Sequence, residues 1–123
     1  QEAGVTILAG SDAAALNTFV YPALSLHEEL VLFQEAGLTP LQILQSATIN
    51  GAEFMEKLPT MGTIDIGKQA DMVILNNNPL LDIKSTQDIY AVINNGQYFN
   101  RANLNSLLEQ AKQKKVELDN ERK

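Results

Sequence analysis

The chain has 123 residues, enough for one modest domain, and its 45% apolar and 20% charged content is that of an ordinary globular protein. A net charge of −6 at pH 7 excludes the basic face that a nucleic-acid surface needs, and no apolar run approaches the roughly 20 residues that cross a bilayer. With no cysteine, disulfides and thiolate metal sites are excluded as well.

In chain order, the first feature is Gly4-Val5-Thr6-Ile7-Leu8-Ala9-Gly10-Ser11-Asp12. Thr6 to Ala9 is predicted as a strand apolar on both faces, as in a parallel sheet. Barrel enzymes of the α/β class keep their chemistry at the carboxyl ends of strands, so Asp12 is the candidate catalytic or metal-binding residue. A strand of this kind needs neighbours on both sides, and the chain therefore reads as a segment of something larger. The loop from Gly10 to Tyr21 is long, which suits a functional role.

A helix is expected from about Pro22 to Ala36, with Leu26, Leu30 and Phe33 on one face and Gly37 just past its end. Glu28 and Glu29 sit in its first half, where the helix dipole favours negative charge. Thr39-Pro40 opens a second helix that carries Leu41, Leu44 and Ala47 and ends near Thr48. Asn50-Gly51-Ala52 begins a short third helix running to about Met55. Beyond Pro59 the pattern turns to β. Gly62-Thr63-Ile64 reads as a short strand, Asp65-Ile66-Gly67-Lys68 as a turn, and Asp71 to Leu75 as a strong strand. Ile89 to Ile93 and Gln97-Tyr98-Phe99 form a predicted hairpin, closed by Asn94-Asn95-Gly96. The last helix is expected to start near Asn103 and to fray along the charged tail Lys112 to Lys123.

Four stretches then stand out together, in this order: Ala9-Gly10-Ser11-Asp12, Leu26-His27-Glu28-Glu29-Leu30 running to Ala36-Gly37-Leu38-Thr39-Pro40, Ala47-Thr48-Ile49-Asn50-Gly51-Ala52, and Gly62-Thr63-Ile64-Asp65-Ile66-Gly67-Lys68-Gln69-Ala70-Asp71-Met72-Val73. They resemble the C-terminal end of a metal-dependent amidohydrolase, in the branch of imidazolonepropionase-like and Xaa-Pro dipeptidase-like enzymes. The resemblance implies an α/β fold, α+β for the segment taken alone. Residues 1–58 would be the last strand and helices of a (β/α)8 TIM barrel. Residues 59–101 would be part of a small composite β-sandwich, and residues 102–123 a terminal helix and tail. It further implies hydrolysis of C–N bonds in a small-molecule or dipeptide-like substrate, with a divalent metal such as zinc. Asp12 would touch the metal and act as general base, and the loop Ala13 to Tyr21 would form part of the substrate mouth. A zinc site takes at least three protein ligands. The chain holds a single histidine, so Asp12 and His27 cannot complete one, and the chain alone is expected to bind metal weakly and to be inactive.

Read from the residues only, Asp12 equally suits a solvated or turn-capping loop carboxylate, and His27 a helical histidine satisfied within the fold. Asp71 reads as structural, a carboxylate accepting turn N–H groups after Gly67-Lys68, with Gly67 serving the turn. Thr48 and Asn50 read as a cap-and-turn device between two helices. The second functional reading is a free-standing α+β module for binding or oligomer assembly, with Asp12 incidental. Apolar faces built to pack on a barrel predict that the chain by itself self-associates; neither a nucleic acid nor a membrane is expected as partner.

Overall fold

The structure, a computed structural model, describes residues 4–13, 21 and 23–121. It is a mixed α/β arrangement in which helices α1 (Leu24–Glu35), α2 (Pro40–Ser46) and α3 (Ile49–Phe54) come first. Strands β1 (Met72–Leu75), β2 (Ile89–Asn94) and β3 (Gln97–Phe99) follow, with a 3₁₀ turn at Ile83–Gln87 and a long helix α4 (Arg101–Glu121) at the end. No described helix is long and apolar enough to cross a membrane.

Local chemistry accounts for most of the element ends. At the start of α2 the Thr39 hydroxyl accepts the Gln42 N–H while the Gln42 side chain accepts the Thr39 N–H at 2.9 Å, and Pro40 follows at the first turn. Asn100 and Asn103 cap α4 in the same reciprocal way, at 2.9 and 3.1 Å, so that helix starts at Arg101 rather than near Asn103. The tail predicted to fray continues as α4 to Glu121, carrying exposed pairs Lys112–Glu109, Lys114–Glu117 and Lys115–Asp119 at helical spacing. The predicted start of the first helix at Pro22, most of the Ala13 to Tyr21 loop and the last two residues lie outside the described residues.

The sheet is antiparallel in the order β1-β2-β3. Ile74 pairs with Ala91 but Leu75 pairs with Ile89, so Tyr90 bulges from the ladder. Between β2 and β3, Asn95 (φ 49°) and Gly96 (φ 78°) both take the left-handed conformation, which a two-residue type I′ turn demands. The core joins the two halves of the chain: Leu30 of α1, Ile43 of α2 and Ile83 of the 3₁₀ turn form one buried cluster, flanked by Ala9, Val31, Phe33, Leu38 and Leu44.

Two predicted strands are corrected. Thr6 to Ala9 is not a strand, since a strand is made by its ladder and no described strand lies beside it. It lies against the helices instead, and Val5 and Leu8 are exposed. Gly62-Thr63-Ile64 forms a bend, because Gly62 adopts φ 91° and a side chain there would meet the Ala52 Cβ at 2.5 Å. Gly62→Ala is therefore expected to destabilise the protein by at least about 2 kcal/mol, combining a left-handed β-carbon with an overpacked contact. A shift of the urea midpoint smaller than this value implies would show that Ala52 gives way.

Ile66 is fully exposed, and Ile64, Leu81 and Phe54 are each more than three-quarters exposed. Large exposed apolar side chains of this kind are what association surfaces are built from. The chain on its own is expected to run above its monomer mass in light scattering, increasingly so with concentration. A constant monomer mass would rule self-association out.

Candidate functional site

Asp12 is exposed and holds φ 48°, a left-handed conformation that aspartate tolerates better than most residues. The backbone leading to it is tied to all three helices of the first layer. From α3, the Asn50 side-chain amide donates to the Ile7 carbonyl at 3.0 Å. From α2, the Ser46 carbonyl accepts the Ala9 N–H at 3.0 Å. From α1, the Glu29 carboxylate accepts the Gly10 N–H at 2.9 Å. Ala9 itself packs on the buried cluster, so the segment carrying Asp12 rests on the core through Ala9.

His27 is committed elsewhere. Its Nδ1 lies 3.1 Å from the Thr86 hydroxyl, whose single proton goes to the Ile83 carbonyl at 2.8 Å. Thr86 can then only accept, which assigns the N–H to Nδ1 of His27. The pair pins α1 to the 3₁₀ turn, and His27 acts there as a satisfied helical histidine.

The residues singled out as structural take different partners from those predicted. Thr48 makes no side-chain cap on α3; its hydroxyl donates back to the Leu44 carbonyl at 2.7 Å. The free carbonyls at the end of α2 are its nearest acceptors, and a hydroxyl at φ −135°, ψ −92° reaches them rather than the next helix. Asn50 likewise serves the Asp12 segment and not a cap. Asp71 accepts the Asn95 N–H at 2.6 Å and the Gln69 side chain at 2.6 Å, while the Ala70 carbonyl accepts the Gly96 N–H at 2.9 Å. Its carboxylate thus holds the hairpin turn, not the turn at Gly67-Lys68. Lys68 donates to the Leu58 carbonyl and the Thr63 hydroxyl, and Gly67 supplies φ 86° in open space.

The Gly62 to Val73 stretch is therefore a clasp for the β unit, whereas Ala9 to Asp12 leads from the core out to an exposed carboxylate. Both lie within residues 1–116, which match a sequence model of the amidohydrolase family. The chain belongs to the amidohydrolase family. Among its relatives, ochratoxinase of Aspergillus niger is 36% identical over 92 residues, 74% of this chain and 18% of that protein. Imidazolonepropionase of Fusobacterium nucleatum is 32% identical over 80 residues, 61% of this chain and 18% of that protein. The crystal structure of a Bifidobacterium longum protein to which prolidase activity is ascribed superposes with a TM-score of 0.71 at 32% identity, covering 89% of this chain and 28% of that one. The chain thus spans about a fifth of the length of the curated relatives it matches.

Amidohydrolases generally use divalent metals. The described residues do not by themselves fit such a centre: no group of three His, Asp or Glu side chains among them could hold an ion, and Asp12 offers one carboxylate. Glu29 and Asn50 are the residues of this site whose part the sequence did not disclose. Glu29 reads there only as a favourable helix charge, and no local spacing links it to a glycine 19 residues earlier.

Proposed function

We propose that the complete protein containing this amidohydrolase segment hydrolyses C–N bonds of amides, cyclic amides or peptide-like substrates, with Asp12 as the general base. What supports this is a solvent-facing carboxylate on a backbone braced by three helices, inside a family match. A carboxylate so placed takes a proton from water; the water oxygen bonds to the amide carbon, and the tetrahedral centre collapses as the C–N bond breaks. The amine nitrogen leaves with the proton that Asp12 returns. The same reading gives the complete protein a divalent cation such as zinc, with Asp12 as one donor and the other donors outside the described residues. It also makes the 123-residue chain inactive by itself.

The test is turnover of Xaa-Pro dipeptides, N-acyl amino acids and cyclic amides by the complete protein, its Asp12→Asn variant and the chain alone. Hydrolysis by the complete protein only is the expected pattern. Equal turnover by the Asp12→Asn variant would remove the assignment.

A further inference from the structure

We propose that Glu29 is a positioning residue for Asp12: by accepting the Gly10 N–H, its carboxylate sets the direction in which the Asp12 side chain is presented. This rests on the assignment of Asp12 as the general base.

The ties at Ile7 and Ala9 hold the approach to the site, but both lie before Gly10. Gly10 has the widest backbone freedom of any residue, and nothing lies within 4 Å of where a β-carbon would be, so packing does not orient it. Past it, Asp12 sits at φ 48°, a conformation its own preferences do not select. Between the rigid approach and this turn, the one described hydrogen bond is that from Gly10 N–H to Glu29 Oε2, at 2.9 Å. The backbone of Glu29 is anchored in α1, one residue before Leu30, a member of the buried cluster. The chain of support therefore runs from the core through α1 to the Glu29 carboxylate, to Gly10 and to Asp12. Small displacements of a reacting group are costly in rate, which is why such a bond matters to turnover.

The experiment compares the complete protein with Glu29→Ala, Glu29→Gln and Asp12→Asn variants, using the dipeptide and amide panel above and amide hydrogen exchange at Gly10. Glu29→Ala is expected to lower kcat by roughly 10- to 100-fold with KM unchanged, the scale of a misplaced catalytic group. Glu29→Gln retains an oxygen that can accept from Gly10 and is expected to turn over near the wild-type rate. Gly10 should exchange faster in the alanine variant and stay protected in the glutamine variant; this reading needs no substrate, and the glutamine variant serves if the alanine one does not fold. Wild-type kcat or unchanged Gly10 protection in Glu29→Ala would overturn the proposal. A glutamine variant as slow as the alanine one would overturn it too, because the carboxylate's charge or proton would then be what matters. Wild-type turnover by Asp12→Asn would instead bring down the assignment of Asp12, whereas an inactive Asp12→Asn with a fully active Glu29→Ala would sink positioning alone.

Discussion

Asp12→Asn in the complete protein is expected to lower kcat by about 10²- to 10⁴-fold, the range that a positioned general base contributes. Asparagine keeps the shape of the side chain and tolerates the same left-handed φ of 48°, so the backbone has no reason to move. Asp12 is exposed, and its replacement should leave stability within about 0.5 kcal/mol, as surface changes do. The variant should therefore be folded and slow. Steady-state kinetics, run beside urea unfolding, separates this result from a folding defect. A folded variant with wild-type kcat would show that Asp12 takes no proton in the reaction.

Ile43→Ala is expected to cost about 2–5 kcal/mol of stability, the range for truncating a large buried aliphatic side chain. Ile43 is completely buried and meets Leu30 of α1 and Ile83 of the 3₁₀ turn, so its loss opens a cavity between three elements. Helix α2 has only 7 residues and cannot persist on its own propensity, so this packing is what keeps it in place. The same helix offers the Ser46 carbonyl to Ala9, so the variant should also loosen the approach to Asp12. Ile43→Val removes one methyl group and is expected to cost about 0.5–1.5 kcal/mol. Urea midpoints of the two variants check the ordering. A loss in Ile43→Ala as small as that of a surface change would mean that the three elements do not share one core.

Signals confined to a few neighbouring residues were legible in the sequence. Thr39-Pro40 announces α2 because a capping hydroxyl and a fixed proline φ act within one turn. Asn95-Gly96 announces the hairpin because only such residues take two successive left-handed conformations cheaply. The family was legible for a related reason: its motifs are short and stand in a set order, although the most specific of them clasps the β unit. The 3₁₀ turn was not legible. Ile83 stands alone among Asp82, Lys84, Ser85 and Thr86, with no period to reveal that it would be fully buried.

By itself, then, the sequence determined the family, the presence and order of the four helices and the strands of the hairpin, since each depends on local chemistry or a short motif. The tertiary structure alone decided that Thr6 to Ala9 lies on helices in place of a sheet, because a ladder depends on which strands come to lie alongside. It also decided the partners of the polar side chains: Glu29 with Gly10, Asn50 with Ile7, His27 with Thr86 and Asp71 with Asn95. Those pairs join residues 19 to 59 positions apart, and a hydrogen bond of that span forms only where packing has already brought its two ends together.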